Sequence, residues 1–209
     1  MTYVVFLRGV NVGGKGIVSM AAVKEALVAL GLSDVRTYIN SGNVICSARA
    51  SNAQQLTARI EKALEKHTGM AIKVLAMDHT TLKKLVDAIP RNWVDDKTMR
   101  TYVLLLWKEL DDRTILDRLP RKPGVDELRY TPGAVVWRVD RENVSRSQMS
   151  RIVGTPLYKK ITIRSVNTMR KLNELTATPT RLPALRGMPQ RSADIAHIHR
   201  SAPHLPQET

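Results

Sequence analysis

Leu7-Arg8-Gly9-Val10-Asn11-Val12-Gly13-Gly14-Lys15-Gly16 and, one helix-length later, Thr37-Tyr38-Ile39-Asn40-Ser41-Gly42-Asn43-Val44 decide how this chain folds. Residues 2–8, which lead into the first glycine turn, are an almost unbroken apolar run and predict a buried strand. Ser19 then precedes Met20, Val23, Leu27 and Leu30. Their spacings of three and four predict a helix with a serine N-cap, ended by Gly31. Residues 35–39 and 44–48 follow as two strands of a hairpin, with Asn40-Ser41-Gly42-Asn43 as its loop.

The pattern continues outward from that stretch. Ser51 or Asn52 caps a second helix carrying Leu56, Ile60, Ala63 and Leu64, and a strand at 71–77 leads to a short helix over Leu82, Leu85, Val86 and Ile89. Pro90-Arg91-Asn92-Trp93 interrupts the order, which then resumes. Tyr102–Trp107 predicts a strand and 111–119 a helix. Strands at 127–130 and 134–139 flank Thr131-Pro132-Gly133, where Pro then Gly suits a type II turn. Residues 144–153 are expected as helix, 161–164 as strand and 166–175 as helix. The expectation is an α+β fold of two tandem ferredoxin-like (βαββαβ) units, residues 1–90 and 99–176, joined by 91–98. Each would be an antiparallel sheet with helices on one face. From 177 to 209 apolar periodicity is lost among Pro179, Pro183, Pro189, Pro203 and Pro206, so an irregular Pro- and Arg-containing tail that buries little is expected.

Thirty-three Lys and Arg against 19 Asp and Glu leave a formal charge of +14. Such a surface draws polyanions, and a phosphate-bearing small molecule is the partner it invites. Nucleic acid is a weaker second candidate. No basic tract is denser than Lys159-Lys160, and Tyr3, Phe6 and Tyr38 are the only aromatics in the first unit on which bases could stack. Cys46 is the sole cysteine, which excludes an internal disulfide or thiolate cluster and fits a reducing cytoplasm. No leader and no membrane-length apolar run is evident, so a cytoplasmic protein without a membrane partner is expected.

Gly9 to Lys15 satisfies the first seven positions of a phosphate-binding loop, G-x-x-x-x-G-K, between a strand and a helix. Glycines there let successive N–H groups converge on an anion that the lysine also reaches. Gly16, however, stands where a magnesium-binding hydroxyl belongs, and the helix begins near Ser19 rather than at the lysine. The expectation is therefore an anion site of Arg8, Asn11, Gly13, Gly14 and Lys15 that hydrolyses nothing. The competing reading is that Asn and Gly serve only positive-φ turn positions. Asn40, Ser41 and Asn43 form a second polar loop, and topology alone leaves open whether it meets the first.

No G-x-S-x-G or H-E-x-x-H motif occurs. Asp95-Asp96 and Asp111-Asp112 are adjacent acidic pairs, the second at a helix start where carboxylates oppose the dipole. Cys46 reads as packing, and His197, His199 and His204 as incidental, so neither a metal nor a cofactor is expected.

The stretch 7–44 resembles the N-terminal signature of the bacterial family called domain of unknown function 1697. Ile161-Thr162-Ile163-Arg164-Ser165-Val166-Asn167-Thr168-Met169-Arg170-Lys171-Leu172 resembles that family's second signature, Thr-x-Arg-Asn-Trp-Asn-Thr followed by an apolar helix. Thr162, Arg164, Asn167 and Thr168 match by position, and Ser165-Val166 replaces Asn-Trp. The resemblance implies the same duplicated βαββαβ fold and brings no reaction with it. Adding Arg164, Asn167, Thr168 and Lys171 to the first loop yields the expected function, an uncharacterised binding or accessory protein with an anion-accepting surface. A phosphate-ester or nucleotide enzyme and an RNA-binding protein are the alternatives.

Overall fold

The computed structural model describes residues 1–11, 17–49 and 52–177, all within one compact unit. Its first half contains β1 (Thr2–Leu7), α1 (Met20–Ala29), β2 (Ser33–Tyr38), β3 (Asn43–Ser47), α2 (Ala53–Thr68), β4 (Val74–Asp78) and α3 (His79–Asp87). The second half contains β5 (Met99–Leu106), α4 (Ile115–Arg118), β6 (Glu127–Thr131), β7 (Ala134–Asp140), β8 (Ile161–Ser165) and α5 (Val166–Ala177). Local chemistry sets the helix starts. Ser19 Oγ accepts from the Ala21 and Ala22 amides, Asn52 Oδ1 from Gln54, and Asp78 Oδ1 from Thr81.

The strands form two four-stranded antiparallel sheets, ordered β2-β3-β1-β4 and β6-β7-β5-β8. Relative to chain order the two arrangements are the same. Register in the first sheet pairs Phe6 with Asn43, so the hairpin loop falls at the end of β1 where the glycine turn begins.

Helices cover both faces of the first sheet, not the single face expected. Tyr3, Val5 and Leu7 pack with Val23 and Leu27 of α1 and Leu56, Ile60 and Leu64 of α2. Val4 and Phe6 point the other way and share a cluster with Leu82 and Leu85 of α3, and Met169 and Leu172 of α5. Val103, Leu105 and Val136 of the second sheet close the same cluster. α3 and α5 are thus a middle layer between the sheets. The cause is visible in β1, whose residues from Tyr3 to Leu7 are all apolar and buried. Such a strand is stable only when both faces are dry.

Two expected helices are largely absent. Residues 144–153 form 3-10 turns, Arg141–Arg146 and Met149–Ile152. The Gln148 amide, which a helix would direct to Val144, donates to Asp126 Oδ2, and Ser147 Oγ donates to Asp126 Oδ1. Residues 111–119 reduce to the four-residue α4, preceded by a 3-10 turn at Lys108–Leu110. Asp111 breaks the segment by accepting from Tyr130 Oη and the Gly133 amide, and Asp112 restarts it by accepting from Thr114. The predicted tail, 177–209, lies outside the described residues from 178 onward. No helix among the described residues is long and apolar enough to cross a membrane.

Candidate functional site

The two loops meet. The Leu7 amide donates to Gly42 O at 2.8 Å, and Asn11 Nδ2 donates to Asn40 O at 2.9 Å. Asn11 also donates to Val18 O and accepts from the Val18 amide, so its side chain clasps both ends of the glycine loop. It does so from a left-handed backbone, φ 54°. Gly42 has no substitute. Its φ is +73°, and a Cβ there would lie 2.5 Å from Val10 Cγ2 and 2.8 Å from Leu7 Cβ. Gly13, Gly14 and Lys15 lie outside the described residues.

Arg164 reaches this junction from β8, on the opposite sheet. Its Nε donates to Asn43 Oδ1, its Nη1 to Thr162 Oγ1 and Ile163 O, and its Nη2 to Leu7 O and Gly42 O. A guanidinium has five N–H groups, so every donor is used. The side chain is buried, lies 5.5 Å from the Phe6 ring centroid, and pairs with no carboxylate among the described residues. Burial lowers its pKa to about 10, which still leaves it cationic at neutral pH. Asn43 is equally committed, donating to Tyr38 O and Ser41 Oγ while it receives Arg164. The two sequence signatures thus form an interlock between the sheets, and Arg164 offers nothing further to a ligand.

Arg8 is different. Its Nε and Nη2 both donate to Tyr158 O, and its guanidinium carbon lies 5.2 Å from the Tyr158 ring centroid. The residue is half-buried at the root of the glycine loop. No described carboxylate pairs with it, and its Nη1 takes no partner among the described residues. It is a cation held in one orientation by a carbonyl and an aromatic face.

The remaining expected residues serve other ends. Asn167 Nδ2 donates to Asp95 O, and Ser165 Oγ accepts from the Thr168 amide to cap α5. Ser165 thereby does what an asparagine would do at that position, while Val166 fills the central cluster. Lys171 pairs with Glu174 at 2.9 Å, and that carboxylate raises its pKa. Asn40 is exposed, and Ser41 accepts only from Asn43 among the bonds described.

Residues outside that chemistry are tied down as well. Burial pushes the Cys46 thiol up to about 12, which removes it as a nucleophile. Asp95 pairs with Arg141, and Asp96 caps a turn by accepting from Thr98 and Met99. No group of three or more metal-ligating side chains occurs among the described residues; His197, His199 and His204 lie outside them.

Two features escaped the sequence. Tyr158 is 150 residues from Arg8, and nothing local to it announces the contact. Ile39 carries a φ of 49°, a left-handed conformation that β-branched residues rarely adopt, and is 52% exposed beside Asn40. Ile17, at the other loop, is also exposed. Apolar side chains therefore stand at the margin of the polar junction.

Comparison with known proteins gives family and fold. The family model described as protein of unknown function (DUF1697) matches residues 1–137. No curated protein matches. A solved structure, that of the conserved bacterial protein SP0830 from Streptococcus pneumoniae, is 27% identical with a TM-score of 0.72. The alignment covers 84% of this chain and 98% of that one.

Proposed function

We propose that this chain, which belongs to the family of proteins of unknown function DUF1697, is a cytoplasmic binding or accessory protein that accepts a phosphate-bearing small molecule at Arg8 and the adjoining glycine loop. The single observation that carries the reading is the state of Arg8. It is fixed by Tyr158, unpaired with any described carboxylate, and set where the loops converge. Preorganisation lowers the ordering cost of binding, and a guanidinium edge matches phosphate geometry. Lys15 and the amides of residues 13–16 complete the site in this proposal. The common strand order of the two sheets supports reading the halves as tandem ferredoxin-like units.

Thermal unfolding with inorganic phosphate, AMP or ADP at low salt tests it. At a concentration of about 100 times Kd the stabilisation is about 2.7 kcal/mol, roughly 5–10 °C for a domain of this size. The gain shrinks as salt rises. Arg8→Ala and Lys15→Ala abolish it, while Lys83→Ala, which only frees Asp87, leaves it intact. An unmoved melting temperature across these anions would reduce the glycine loop to a turn.

A further inference from the structure

The outer face of the second sheet carries a groove. In the first half the 16-residue α2 packs over the sheet. In the second half the corresponding link from β7 to β8 contains only 3-10 turns, which leave part of the sheet uncovered. Tyr102, Val139 and Ile163 form the floor, and Val144, Met149 and Val153 the walls. The space is about 380 Å³, within the size range of small-molecule sites. Val153 is 63% exposed at the margin. Asp126 holds the overlying turn in place through Ser147 and Gln148, so the wall is fixed.

Arg100 is the cation among the described residues that line this apolar space. Arg100 Nη1 donates to Tyr102 Oη at 2.8 Å, and its guanidinium carbon lies 5.9 Å from the same ring's centroid. No carboxylate among the described residues pairs with Arg100. Tyr102 accepts that bond and its own O–H has no described partner, so a hydroxyl donor and a guanidinium stand together at a mostly apolar groove. We infer that the groove binds a small organic carboxylate with an apolar body, a short acyl or aryl acid. The carboxylate lies on Arg100 and the Tyr102 hydroxyl, and the body lies on Val139, Ile163 and Val153. A charge-assisted bond at a partly dry site gives the acid its advantage over an uncharged analogue. The groove shares Tyr158 with Arg8, whose guanidinium lies over that ring, but its own cation is Arg100.

Isothermal titration of the full chain with octanoate and with octan-1-ol tests the inference. Octanoate binds at least about tenfold more tightly than octanol. Arg100→Gln removes that advantage and leaves octanol unchanged. Ile163→Trp, which fills the floor, removes both, and Val153→Trp at the exposed margin does the same should the first variant fail to fold. Lys83→Ala, remote from the groove, changes neither. Absence of octanoate binding at low millimolar concentration would overturn the inference, as would equal affinity of wild type and Arg100→Gln or full binding by the filled variants.

Discussion

Arg164→Ala lowers the unfolding free energy by about 3–5 kcal/mol, read as a fall in urea midpoint. The substitution strips Asn43 Oδ1 of its guanidinium donor and removes one bond each from Leu7 O and from Gly42 O, which keeps the Leu7 amide, and it leaves space beside Phe6. Each buried acceptor left unpaired costs about 1–3 kcal/mol, and packing loss adds to it. Arg164→Lys does not rescue the protein, because an ammonium cannot reproduce the planar spread of bonds from Asn43 to Ile163. A loss below about 1 kcal/mol for Arg164→Ala would mean that water takes the place of the guanidinium and that the interlock holds nothing.

Asp126→Ala has the second largest effect, about 2–4 kcal/mol. The carboxylate accepts from the Lys122 and Gln148 amides, the Ser147 hydroxyl and Trp137 Nε1, and is buried beneath the turns that cover the second sheet. Burial on its own would raise its pKa, but the Ser147 hydroxyl, the two amides and the indole together hold it below the ordinary 3.8. A carboxyl whose folded value is depressed contributes its stability in full above the unfolded value and loses it as pH falls through the folded one. Wild type therefore loses this contribution only below about pH 4, and Asp126→Asn loses that part of the acid dependence. Asparagine does not restore stability, since its NH₂ group would face donors. Melting curves between pH 7 and pH 2 check both points.

The elements best read from sequence were those whose determinants are local. Ser19 ahead of a three-and-four spacing gave α1, and the hairpin between β2 and β3 followed from its Asn- and Gly-rich loop. The unbroken apolar run in β1 also carried the information that both sheet faces are covered, and a one-face expectation used only half of it. Residues 144–153 misled because apolar positions alone suggested a helix. Asp126, some twenty residues earlier, captures the amide and hydroxyl that decide the backbone. The site was legible as an address and not as an arrangement. Arg164 bonds Asn43, Asn11 bonds Asn40 and Val18, and Arg8 bonds Tyr158, and the contacts of Arg164 with Asn43 and Leu7 span 121 and 157 residues. No periodicity encodes that Arg164 is saturated while Arg8 Nη1 has no partner among the described residues.

Arginine-detected NMR reads that division of roles. With ¹⁵N-labelled protein at low salt, ADP is titrated while the Nε–H resonances of Arg8 and Arg164 are followed, each assigned by through-bond correlation to its own backbone amide. The expected result is a saturable shift of the Arg8 resonance with the Arg164 resonance unmoved. Movement of Arg164 while Arg8 stays still, or no movement of either, would contradict it.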